Sequence, residues 1–232
     1  MNADTIRRLN EKNELSGEAC RQAMDFAAGQ VKENLKEFTH SFKKAYSEEG
    51  FYRPTPNVNW TTGFWTGQIW LAYEWSRDEM FKEAGAIQID SFYKRIETKA
   101  DVEHHDMGFL YSPSCVAGYK LTGNGQGKRA AVMAADQLIT RYHPIGEFIQ
   151  AWGPMDQPEN YRFIIDCLLN LPLLYWASEE TGDAKYRDIA EKHIHTAIAN
   201  VIREDYSTWH TFFMNMETGE PDHGATCQGY RD

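Results

Sequence analysis

The chain has 232 residues, 42 % of them apolar and 13 % aromatic, enough to bury a substantial core and too much for a disordered chain. Its 34 acidic against 24 basic side chains leave a net charge of −10, so it lacks the basic footprint that nonspecific nucleic-acid binding needs. No run reaches the about 18 apolar residues of a membrane span, and MNADTIRRLNEKNELSGEAC at the start lacks the apolar core of a secretory signal.

Helical periodicity dominates in chain order. From Gly17 to Ser47 apolar residues recur in three- and four-residue steps, ending Phe38, Phe42, Tyr46. Further helices are expected near 63–76, 79–98, 108–121, 126–141, 160–180 and 184–203. The best strand candidate is Thr208–Met214, bounded by the turn-like Glu217-Thr-Gly-Glu-Pro-Asp222. Three aromatic helix ends, at Tyr73, Tyr119 and Tyr175, each run into a polar turn and a new helix, about every 50 residues. Stacked helical hairpins, and hence an all-α (α/α) toroid in a single domain spanning 1–232, are the predicted architecture.

The connecting segments hold most of the polar and aromatic residues that suit chemistry, as loops on a rigid scaffold do. Cys20, Cys115, Cys167 and Cys227 form no C-x-x-C pair and read as reduced thiols of a cytoplasmic protein. His104 and His105 are adjacent, and His193 and His195 are two apart. Neither spacing puts two ligands on one helical face, so no metal and no cofactor is expected. Asp106 precedes Met-Gly-Phe, where it can be an N-cap or a functional carboxylate. Asp166 is the lone acid in an apolar run, Phe163-Ile-Ile-Asp-Cys-Leu-Leu169. Such a carboxyl is either bonded to Arg162 or Asn170, or set on a narrow solvent-facing stripe, or raised toward neutrality as a general acid.

Taken in order, Asn59-Trp-Thr-Thr-Gly-Phe-Trp-Thr-Gly67, His104-His-Asp-Met-Gly-Phe109, Gln150-Ala-Trp152, Ile165-Asp-Cys-Leu-Leu-Asn170, the His210 segment and Gly224-Ala-Thr-Cys-Gln-Gly-Tyr230 closely resemble the unsaturated glucuronyl hydrolases of glycoside hydrolase family 88. The related unsaturated rhamnogalacturonyl hydrolases share the barrel, but the His-His-Asp and Gly-Ala-Thr-x-Gln-Gly signatures favour the glucuronyl group. The resemblance implies an (α/α)6 barrel that removes 4,5-unsaturated glucuronic acid from lyase-generated glycosaminoglycan oligosaccharides. The reaction it implies is hydration of the C4=C5 vinyl ether, not attack at the anomeric carbon. It implies Asp166 as general acid/base and Asp106 as the second essential aspartate. Trp60, His105, Trp152, His210 and Gln228 would stack on the sugar or bind its hydroxyls and carboxylate. The family pattern continues with a Ser-x-Trp-x-Arg-Gly-Gln-Ala-Trp segment, whereas this sequence ends at Asp232. The expectation is therefore a barrel truncated at its C-terminus, active or reduced to a carbohydrate-binding fragment.

Overall fold

The computed structural model describes residues 16–226; Gln228 and Cys227 lie outside the described residues. Helix α1 (Gly17–Phe38) starts where the Ser16 hydroxyl accepts from the Ala19 amide, satisfying one of the free N–H groups of a helix start. It ends at Phe38, short of the expected Ser47, and the chain folds back as a hairpin of β1 (Phe42–Glu48) on β2 (Phe51–Thr55). Glu49 and Gly50 both take positive φ, 51° and 83°, as a two-residue turn matched to the strand twist requires. Steps of four misled here because they are even: Phe38, Phe42 and Tyr46 fit one helical face and one strand face alike.

Helical hairpins make up most of the remainder. They are α2 (Thr62–Ser76) with α3 (Glu79–Glu97), α4 (Met107–Tyr111) continued by a π-turn (Ser112–Val116) and α5 (Ala117–Thr122), then α6 (Gly125–Ile139), α7 (Leu171–Thr181) and α8 (Lys185–Val201). At the three expected junctions the helix ends on a left-handed residue, Arg77, Gly123 or Gly182. The amide of each closes on the carbonyl of Tyr73, Tyr119 or Ser178. Asp78 and Asn124 then cap the next helices through the amides of Met80 and Gly127, and Asp183 accepts from Lys185. The sequence repeat is thus a repeat of cap chemistry, and the hairpins pack side by side as an (α/α) toroid arrangement.

The main core lies between these hairpins. Trp65, Ile69 and Trp70 of α2 are buried, as are Ala130, Ala131, Ala134 and Ala135 of α6, whose small side chains let α3 and α6 approach closely. A second apolar cluster underlies the site. It joins Phe148, Tyr161, Phe163, Cys167, Phe212 and Met214 to Ala197 and Val201 of α8. Two short strands, β3 (Tyr142–His143) and β4 (Phe148–Ile149), pair with each other. A three-stranded antiparallel sheet has the order β5 (Arg162–Ile164), β6 (Thr211–Met214), β7 (Pro221–Ala225). The expected strand near 208–214 is β6.

One expected helix is corrected. Residues 160–180 comprise β5, a 3-10 turn (Ile165–Asn170) and only then α7, with Pro172 in its first turn. Phe163, Ile164 and Ile165 suit a strand, and a proline lacking an N–H is accommodated at a helix start but not inside one. Asp166 therefore sits in a turn at a strand end, not in mid-helix. Among the described residues, no helix is long and apolar enough to cross a membrane.

Candidate active site

Five chain segments converge on one cavity of about 360 Å³, lined by Trp60, His105, Asp106, Trp152, Ile164, Asp166 and His210. Glycines let these segments touch. An added Cβ on Gly108 would stand 2.2 Å from the Asn170 Cα, and one on Gly63 would stand 2.2 Å from the Phe109 carbonyl oxygen. Only glycine allows the start of α4 to lie directly on both the Asp166 turn and α2. The Phe109 amide donates to Asn170 Oδ1 at 3.0 Å, which locks the two aspartate-bearing segments together.

The Trp60 loop is anchored from below. Buried Arg95 donates to Asn57 Oδ1, to the Asn59 carbonyl and to the Asp101 carbonyl and carboxylate. Trp60 stays 45 % exposed at the rim and packs edge-on with Phe64 and Phe109, centroids 6.0 and 5.7 Å apart. At the Trp152 segment, Gln150 donates to the carbonyls of Trp152, Gly153 and Pro154, and Arg141 donates to those of Gln150 and Gly153. Arg162 stacks over Trp152, with its guanidinium carbon 4.9 Å from the ring centroid. Arg95, Arg141 and Arg162 as supports were not legible in the sequence, since their contacts span distant segments. Only the burial of charged residues beside loop aromatics points to them.

Asp106 occupies the N-cap position of α4, but its side chain makes no cap bond. It turns toward two imidazoles instead: His104 Nδ1 lies 3.0 Å from Oδ2 and His105 Nε2 lies 3.3 Å from Oδ1. Burial pushes its carboxyl up, but its side-chain contacts with His104 and His105 outweigh burial and hold it well below the usual carboxylate range. Asp106 is thus a carboxylate.

Asp166 is the opposite case. Its Oδ1 lies 3.6 Å from the same His105 Nε2 and has no hydrogen-bond partner. Neither candidate partner holds it. Arg162 donates to the Glu159 carbonyl, and Asn170 Oδ1 accepts from Phe109. Burial raises its carboxyl above the ordinary value and the Asp106 charge adds to this, against the opposing pull of His105 and His210. His210 is placed beside it because the Ile165 amide donates to the His210 carbonyl at 2.9 Å.

Among the described residues, His105, Asp106 and Asp166 each offer one donor atom, all within 4.8 Å of one another, a spacing that can surround a cation. A metal-bound imidazole uses its second nitrogen as an N–H donor to an acceptor. His105 Nδ1 is buried with no such acceptor among the described side chains and backbone, so these residues do not by themselves supply the second bond a ligand histidine makes. Of the seven residues predicted from sequence, Trp60, His105, Asp106, Trp152, Asp166 and His210 line this single cavity, and Gln228 lies outside the described residues.

A half-buried carboxylate and a raised carboxyl thus face one cavity that Trp60 and Trp152 also line. The chain belongs to Glycosyl Hydrolase Family 88, whose family model matches residues 31–232. It is 47 % identical over 218 residues, 94 % of its length and 55 % of the relative's, to an unsaturated chondroitin disaccharide hydrolase of Streptococcus pneumoniae. A crystal structure of unsaturated glucuronyl hydrolase from Streptococcus agalactiae superposes with a TM-score of 0.92 at 42 % identity, covering 95 % of this chain and 56 % of that one. An aspartate-to-asparagine variant of the S. agalactiae enzyme, complexed with dGlcA-GalNAc6S, matches with a TM-score of 0.81 at 37 % identity, over 97 % of this chain and 55 % of that one. The chain spans about half the length of the relatives it matches.

Proposed function

We propose that this chain carries the acid site of a hydrolase that removes 4,5-unsaturated glucuronic acid from the non-reducing end of glycosaminoglycan oligosaccharides. The observation behind the proposal is the pair of aspartates that share His105 Nε2 at one cavity: one carboxyl raised, one lowered and bonded. Asp166, protonated, donates its proton to C4 as the alkene π electrons form the new C–H bond. The ring oxygen shares the positive charge left at C5. Water adds at C5 and gives a proton to the Asp166 carboxylate, which restores the acid. The resulting hemiketal opens, rearranges and releases the sugar. Asp106 and His105 hold ring hydroxyls, His210 binds beside the acid, and Trp60 and Trp152 flank the sugar faces; Gln228 adds a polar contact.

The relatives' names and the bound dGlcA-GalNAc6S of the S. agalactiae variant support a substrate of the chondroitin disaccharide type. Residues 1–232 form part of a single catalytic domain in this reading. Cys20, Cys115 and Cys167 are free thiols, and burial pushes Cys115 up to about 12; unpaired thiols favour a reducing compartment, the cytoplasm. The test is incubation with an unsaturated chondroitin disaccharide. Activity removes the absorbance of the conjugated double bond; binding by calorimetry with unchanged absorbance marks a carbohydrate-binding fragment and overturns the proposal.

A further inference from the structure

His193 lies within α8 and lines no part of the cavity, yet its ring is fully buried. The Ile149 amide donates to its Nδ1 at 3.1 Å. Nδ1 is therefore an acceptor, and the neutral ring carries its proton on Nε2. Burial, with the neighbouring His105 as second cause, pushes the ring down to about 3, so it is neutral at working pH. Its Nε2–H has no hydrogen-bond partner in the protein, which is costly for a donor shut away from solvent.

His105 has the complementary defect. Its Nε2 faces carboxyl oxygens of Asp106 and Asp166 at 3.3 and 3.6 Å, and only a protonated Nε2 is attracted to both. In the Nε2–H tautomer Nδ1 carries a bare lone pair, and that atom too is buried without a partner among the described protein groups. The two rings hang from one short segment: Ile149 binds His193 through its amide, and the Ala151 carbonyl accepts from the His105 amide at 2.8 Å. Phe163 closes on His193 edge-on at 5.8 Å and Trp152 on His105 at 6.4 Å, leaving both polar atoms in an otherwise apolar wall.

We infer that His193 is a positioning residue, its Nε2–H and the His105 Nδ1 lone pair being the two ends of one hydrogen-bonded link, closed by a bound water, that fixes His105 as its Nε2–H tautomer. A buried water with polar partners on both sides is an ordinary structural element. The link matters because the other tautomer turns a lone pair toward the Asp106 carboxylate, which it repels, and toward Asp166, whose proton it would draw away from the cavity. The consequence for turnover rests on the proposed acid role of Asp166; the tautomer itself does not.

The test uses long-range proton–nitrogen NMR of the histidine rings in the full chain, together with kinetics on unsaturated chondroitin disaccharide. In the unmodified protein, His105 and His193 are both expected to be protonated on Nε2, with His105 Nδ1 at the position of a hydrogen-bonded acceptor. His193→Phe is expected to blur the His105 tautomer and lower kcat about tenfold, with KM changed less than about twofold. His193→Gln, which keeps an N–H donor, restores both. The inference is overturned if unmodified His105 carries its proton on Nδ1, if its pattern is the same in His193→Phe, or if the Phe and Gln variants behave alike. Should His193→Phe fail to fold, the unmodified spectrum decides. Expected tautomers without any turnover support the link and reject the proposed activity, so the two failures are separable.

Discussion

Asp106 and Asp166 both reach the same imidazole nitrogen, within 0.3 Å of equal distance, yet their surroundings drive them apart. The Asp106 side chain is 16 % exposed and meets two histidines; that of Asp166 is 34 % exposed and its Oδ1 has no partner. Burial alone raises both carboxyls. What separates them is hydrogen bonding to the charged form, which Asp106 receives from side chains and Asp166 only, as its smallest contribution, from its own backbone amide. Its charge then raises Asp166 further, so the ionised member helps keep the other protonated. In this reading the two roles arise from one arrangement and cannot be altered independently.

The most severe break is Asp166→Asn, which removes the proton donor while keeping shape. The expected outcome is a kcat loss of about 10³-fold with substrate binding retained, read by absorbance and calorimetry. Asp106→Asn is next, at about 10²-fold. It also withdraws the charge that raises Asp166, so the alkaline limb of the pH–rate profile moves to lower pH in this variant. An unmoved limb counts against the coupling.

Thermal stability sharpens the same contrast by its sign. Asp106, being lowered, contributes stability that is fully present above its unfolded value of about 4 and is lost as pH falls through its folded value. Asp166, being raised, contributes stability present below the unfolded value and lost as pH rises through its folded value. At neutral pH, Asp106→Asn should therefore lower Tm by roughly 2–8 °C, and Asp166→Asn should raise it. Two changes of the same sign refute the assignment. Gly108→Ala tests the contact that brings the aspartates together. Its Cβ collides with the Asn170 backbone, and overpacking of about 1–3 kcal/mol should appear as a lowered denaturation midpoint. The smallest effect is expected at the rim: Trp60→Ala should raise KM about threefold to tenfold with kcat little changed.

How far these features could be read beforehand differs by residue. The hairpin junctions at Arg77, Gly123 and Gly182 were visible because cap chemistry is local: a left-handed residue followed by an Asp or Asn acts through its own neighbours. The hairpin at 42–55 was missed because an even spacing serves both helix and strand. The Asp166 turn was missed although Pro172 announced the helix start, since the apolar run around it fits either period.

By itself, then, the sequence determined the helical hairpins, the absence of a basic footprint and, through its motifs, six of the cavity-lining residues, all of which depend on residue type and short spacing. Only the tertiary structure decided that Asp106 leaves its cap to meet His104 and His105, that Asp166 is bound by neither Arg162 nor Asn170, and that the Ile149 amide meets the buried ring of His193. Those facts depend on which distant segments touch. Contact between them is set by the room at Gly63 and Gly108 and by where buried Arg95, Arg141 and Gln150 find acceptors, which no local pattern encodes.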